Sequence, residues 1–363
     1  MMLTSPWRLS LLFLVSGVAT GFLLARQGAG NFMGQRSTRL LIPLVFGMLV
    51  IVPPQSYLEV VEKLRYSGGF AEFYRLYITG FHGFCRGSDC LILPTWNHLW
   101  FVAYLWVYTL VLYLMVRTAP PIIPWLRKLA RRRLSGAGIL LWPVIYMCAM
   151  RLELAPRFPQ NHALVGDWYN HALYFGVFLL GFVLAGVSEA WAALDRTRWY
   201  TLGLAVIGWA FLCAYLGAFE AGTADPPAAL RIVWRAAYGA QQWFSIAAIV
   251  GFAHRHLNHD NAARRYLTTA IFPVYILHQT IIIVAAHALK PSDLYPPLEG
   301  ALLVLVTAAT SFLGYEVIRR IPVLRPLFGL DREPRGPGVR AGERPFPVAR
   351  RLTTELSVPQ DIN

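Results

Sequence analysis

Residues 96–116 read WNHLWFVAYLWVYTLVLYLMV, a stretch with no Asp, Glu, Lys or Arg. A run of this length and polarity matches the roughly 17–25 residues that a helix needs to cross a hydrocarbon core. There every backbone polar group must be satisfied within the segment. Further apolar runs cover 9–25, 40–52, 137–150, 168–187, 200–219, 234–253, 267–289 and 298–318. Only 14% of the 363 residues are charged, against 56% hydrophobic, whereas a soluble domain carries roughly 25% charged residues. The pattern predicts an all-α, polytopic transmembrane helical bundle of about nine spans.

Charge orients the bundle. Arg36 and Arg39 stand immediately before the run 40–52, and Arg117, Arg127, Lys128, Arg131, Arg132 and Arg133 follow 96–116. Cations concentrate on the cytoplasmic side of membrane helices. The alternation puts the N-terminus outside, the loop 56–97 outside and the C-terminus in the cytoplasm. The balance of 33 Lys and Arg against 19 Asp and Glu gives a net charge of +14. In a soluble chain that excess suggests nucleic acid. Here it sits in loops on one side and in the tail, so the expected partners are membrane lipids and no nucleic acid. Residues 331–363, rich in Pro, Gly and Arg, read as a disordered basic tail behind a membrane domain spanning 1–330. Cys85 and Cys90 lie in the loop placed outside, where CRGSDC can turn through Gly87 and an oxidising compartment permits a disulfide.

Four stretches in order carry a resemblance: SLLFLVSGVATGFLL; the R-x-x-R of Arg36 and Arg39 with the following LLIPLVFGMLVIVPPQSY; NHLWFVAYL; and FPVYILHQT. Together they resemble the acyltransferase-3 family of integral membrane O-acyltransferases, with the branch containing glucan biosynthesis protein C as the nearest flavour. The resemblance implies transfer of an acetyl or succinyl group from cytosolic acyl-CoA to a hydroxyl of an extracytoplasmic glycan. It implies residence in the inner (plasma) membrane, with acyl-CoA as donor substrate and no bound cofactor. It also implies an earlier helix bearing a basic residue and then a catalytic histidine. No histidine precedes His82 here, so the chain reads as the family plan without its first helix. The chain is then expected to be inactive or nearly so unless another histidine substitutes.

Several residues could carry the chemistry. Arg36 and Arg39 lie one helical turn apart, and guanidinium groups suit the phosphates of coenzyme A; the plainer role is to mark topology and touch lipid headgroups. Tyr275, His278 and Gln279 fall at i, i+3 and i+4 on one helix face. His278 can accept a proton from a sugar hydroxyl, or merely hold the bundle by a hydrogen bond. His98 opens the run 96–116 beside Trp96 and Trp100, which could stack a sugar ring or simply form an interfacial aromatic belt. Gln241, with Tyr238, Gln242 and Ser245, is a further acceptor-binding candidate or bundle glue. His171 with Tyr174 is of the same sort. His254, His256 and His259 are close in sequence, but with arginines around them and no cysteine near they do not read as a metal site. The reading is therefore an O-acyltransferase with His278 and His98 as catalytic candidates, Arg36 and Arg39 binding acyl-CoA, and Trp96, Trp100, Tyr275, Gln279 and Gln241 facing the acceptor. The alternatives are a glycan or lipid transporter or flippase, which if proton-coupled would want acids buried mid-span, where none clearly lies, and a non-catalytic membrane scaffold.

Overall fold

The computed structural model describes residues 4–87, 89–219 and 225–332. Its helices, in chain order, are α1 (Arg8–Phe46), α2 (Pro53–Leu64), α3 (Phe70–Ile78), α4 (Trp100–Thr118), α5 (Ile122–Arg133), α6 (Gly138–Glu153), α7 (Trp168–Leu184), α8 (Ser188–Phe219), α9 (Ala228–His256), α10 (Ala262–Leu289), α11 (Pro296–Arg320) and the single turn α12 (Leu324–Leu327). Among the described residues the one strand pairing is a small hairpin, β1 (Cys85–Arg86) against β2 (Asp89–Cys90). The architecture is all-α. Five helical segments are long and apolar enough to cross a membrane, or seven if each of two bent pairs counts as one span.

Each of the nine expected runs lies mostly in helix, and the larger differences fall between them. The 26–39 stretch, expected as a connection, is helical within α1. The loop expected over 56–97 contains most of α2 and all of α3. Its mixed charge is the wet side of two amphipathic helices. Val60, Phe73 and Tyr77 are buried in a small core with Phe84 and Leu93, at spacings that put them on the inner faces. The loop after 96–116 likewise contains α5, which buries Ile123 and Ala130, lays Arg127 over the Phe182 ring and turns Arg131, Arg132 and Arg133 outward. Cys85 and Cys90 are joined in a disulfide across the hairpin. The expected tail lies outside the described residues except for Asp331 and Arg332.

By internal contacts the chain divides into two units. One takes 4–33 and Val107–His259; the other takes Gly34–Trp106 and 260–332. In the first unit, α9 packs along α8 and α6. The early part of α1 meets α7 through two facing glycines. A Cβ on Gly17 would stand 2.0 Å from the Phe178 carbonyl oxygen, and one on Gly181 2.1 Å from that of Leu14. Only glycine lets these backbones approach so closely. In the second unit α10 packs on α11 and α2, and the passage from α1 into α2 organises the rest.

That passage follows from Pro53 and Pro54. Proline has no N–H, so the carbonyls one turn earlier lose their helical donors, and each needs another. The helix widens into a π-turn over Gly47–Ile51, in which the Val52 N–H bonds Gly47 instead of Met48. Leu49 accepts from the Tyr74 hydroxyl at 3.1 Å. The Tyr77 hydroxyl lies between the carbonyls of Met48, at 2.7 Å, and Thr95, at 2.9 Å. The Gln55 N–H turns back to Val52, which leaves the Ile51 carbonyl for the Thr280 hydroxyl of α10 at 2.7 Å. The broken stretch of helix is thus stitched to α3 and α10 by three hydroxyls.

Candidate active site

The stitch at Thr280 continues into a polar cluster in the second unit. Gln55, 1% exposed, donates one amide N–H to the Thr280 hydroxyl at 2.6 Å and lies 3.3 Å from His98 Nδ1. The other ring nitrogen, His98 Nε2, is 3.1 Å from the Ile276 carbonyl. A carbonyl can only accept and an amide NH2 can only donate. His98 is therefore neutral, with its proton on Nε2 and its Nδ1 lone pair occupied by Gln55. The Tyr275 hydroxyl donates to the His98 backbone carbonyl at 2.5 Å, which fixes α10 to the start of α4 a second time.

His278 faces His98 edge to face, with ring centroids 5.4 Å apart. Its Nδ1 is 2.7 Å from the Tyr275 carbonyl one turn back. A carbonyl can only accept, so Nδ1 carries a proton. The two imidazoles are thus anchored through opposite nitrogens, His98 donating from Nε2 and His278 from Nδ1. Close packing supports the pair. Leu99 presses on Gly47, where a Cβ would stand 2.4 Å from its Cδ1 and 4.0 Å from Ile276. Gln55 Oε1 is buried without a hydrogen-bond partner among the described residues.

Arg36 and Arg39 belong to the same unit and, as expected, share a helix. The Trp106 indole donates to Ser37 between them at 3.1 Å. Trp106 is eight residues beyond His98 on α4, ~12 Å along a helix. Arg39 does not stand open as a phosphate ligand. It forms an ion pair with Asp331, whose backbone carbonyl takes the Arg325 Nε at 2.6 Å. The pair ties Asp331, at the start of the basic tail, to α1. The turn at Gly329, whose φ of 74° suits glycine, brings Asp331 back to α1.

The sequence profile of the acyltransferase domain that defines the acyltransferase-3 family matches residues 1–316. The chain belongs to the acyltransferase-3 family. No curated protein and no solved structure matches it.

The other candidates of this acyltransferase distribute unevenly. Gln279 is half-buried next to His278. Trp96 caps the short turn that presents His98. Trp100 is 8% exposed and packs edge-on against Tyr104 at 5.0 Å, so its faces are largely occupied by protein. Gln241 belongs to the first unit, buried and bonded to Ser245 at 3.0 Å. His171, also in the first unit, is held between the Tyr108 hydroxyl and the Leu164 carbonyl, while Tyr174 stacks on Phe13. Among the described residues no three His, Cys, Asp or Glu converge as metal ligands. His254 instead stacks on Trp191, and His256 on Phe252. Gln55 and Thr280 are the residues that sequence reasoning missed. The signal for them was the Pro53–Pro54 pair, which orphans carbonyls that some side chain must claim.

Proposed function

We propose that this membrane acyltransferase transfers an acetyl or succinyl group from cytosolic acyl-CoA to a hydroxyl of an extracytoplasmic glycan, with His278 as general base. The observation that carries this reading is the histidine pair, anchored through opposite nitrogens with ring centroids 5.4 Å apart. His98, satisfied at both nitrogens, is a positioning residue. His278, anchored at Nδ1, in its neutral form takes the hydroxyl proton on Nε2 as that oxygen attacks the thioester carbonyl. Collapse of the tetrahedral intermediate breaks the C–S bond. The thiolate recovers the proton from the imidazolium, leaving an ester and free CoA–SH. Gln55 Oε1, buried beside the histidines, offers an acceptor to a donor group of the bound substrates.

Arg36 meets the CoA phosphates in this reading, with Arg39 joining only when Asp331 releases it. Guanidinium groups form paired charge-assisted hydrogen bonds with phosphate. The pantetheine arm then spans the ~12 Å of helix between the levels of Ser37 and His98, with the arginines on the cytosolic side. The test is thiol release and labelled acyl transfer to glycan by the purified full chain in proteoliposomes, with acetyl-CoA and succinyl-CoA compared. Transfer by the wild type that is lost in His278→Gln supports the assignment. Equal transfer by both proteins removes His278 from the chemistry.

A further inference from the structure

The first unit contains an arginine of another kind. Arg151 lies in the last turn of α6, two residues before its end at Glu153. Its guanidinium carbon sits 4.0 Å from the centre of the Tyr238 ring and 5.7 Å from those of Tyr169 and Trp234. One N–H donates to the Tyr169 hydroxyl at 3.2 Å. A guanidinium has five N–H donors in one plane. Among the described residues Arg151 makes no other hydrogen bond and has no carboxylate within ion-pair reach. The acid nearest in sequence, Glu153, pairs with Arg157 at 3.0 Å. Elsewhere Arg39, Arg198, Arg264, Arg265, Arg319 and Arg320 each have a carboxylate partner.

A half-buried charge without a counterion is costly, and the ring faces only partly offset that cost. The rings also leave the guanidinium edge as its polar surface, since Tyr238 covers a face. A second donor points the same way. The indole N–H of Trp234 is buried and has no acceptor among the described residues. Donors from two helices, α6 and α9, thus stand around one set of aromatic rings, the Trp234 indole N–H without an acceptor among the described residues and the guanidinium with one. Asp167, buried at the head of α7, has one oxygen engaged by the Asn170 amide at 2.9 Å and the His162 N–H at 3.0 Å.

We propose that Arg151, with Tyr169, Trp234 and Tyr238, is a binding site for an oxyanion, a carboxylate or a phosphate. Such a group has acceptors only and can take two parallel hydrogen bonds from a guanidinium edge. The anion can arrive on a soluble acidic sugar or on a phospholipid headgroup, because α6 ends here. The site does not depend on the role given to His278.

The full chain in a nonionic detergent tests it by thermal unfolding and by titration. The probes are inorganic phosphate and glucuronate at constant ionic strength with chloride as the reference, and phosphatidylglycerol against phosphatidylcholine in mixed micelles. The expected result is a saturable rise in melting temperature with an oxyanion probe. The response is lost in Arg151→Gln, weakened about tenfold or more in Arg151→Lys, which keeps the charge without the fork, and unchanged in Arg157→Gln. A response to phosphate or glucuronate identifies a soluble ligand, and one to phosphatidylglycerol alone identifies a headgroup. An equal response from wild type and Arg151→Gln overturns the site, as does no response to any probe. Glu220 lies outside the described residues, so Glu220→Gln is also measured. An anion response that only this variant shows makes Glu220 the resident counterion and overturns the proposal as well.

Discussion

Around His98 both ring nitrogens and the backbone carbonyl have partners, drawn from α2 and α10. Around Arg151 a single hydrogen bond serves five donors, and aromatic rings take the place of a carboxylate. Both are polar groups among apolar helices, where unpaired groups are expensive. The difference lies in what each arrangement can still do. A satisfied network holds one geometry and one tautomer, as proton transfer by the neighbouring His278 requires. A guanidinium edge with donors to spare suits a group of opposite charge.

The strongest way to break this contrast is His278→Gln. Loss of a general base costs about 10²–10⁴ in rate, and kcat should fall with little change in the KM for acyl-CoA. His98→Gln should cost less rate than His278→Gln, since His98 acts through position alone. Rates falling in the reverse order would transfer the catalytic role to His98. Gln55→Leu comes next. It leaves the His98 Nδ1 and the Thr280 hydroxyl each short of a partner, and a buried group so orphaned costs roughly 1–3 kcal/mol. A lower melting temperature should accompany a lower kcat. Unchanged values of both would show that the relay through Gln55 fixes nothing.

The elements were more legible than their partnerships. Long apolar runs locate helices because the membrane leaves the backbone no alternative, and each of the nine runs is mostly helical. Short amphipathic helices hid behind their charges. Glu59, Glu62 and Lys63 in α2 made that segment read as loop, although Tyr57, Val60 and Leu64 repeat at helical spacing. The site followed the same division. Tyr275 and His278 at i and i+3 gave a shared helix face, and the carbonyl of one does receive the ring of the other. Partners from elsewhere in the chain were out of reach. Thr280 lies 225 positions from Gln55, and Asp331 lies 292 from Arg39. No local period encodes such pairs. Only the proline pair announced that nearby carbonyls needed donors, without naming them.

The smallest expected effect sharpens the contrast from the other side. Asp331→Asn turns Arg39 into a second arginine without a carboxylate partner. The pair is half-exposed, and exposed ion pairs are worth about 0–1 kcal/mol, so the melting temperature should barely move. Binding is the informative readout. If Arg39 is a phosphate ligand restrained by Asp331, the variant should bind acyl-CoA more tightly, by roughly the factor of five that 1 kcal/mol gives. Adding Arg39→Ala should cancel that gain, because the released cation is what produces it. Arg36→Ala in the wild type should weaken binding more than Arg39→Ala does, since Arg39 is already paired with Asp331. Equal affinity in the wild type and Asp331→Asn would show that Arg39 serves only to tie residues after α12 to α1. The CoA phosphates would then rest on Arg36 and on cations elsewhere in the chain.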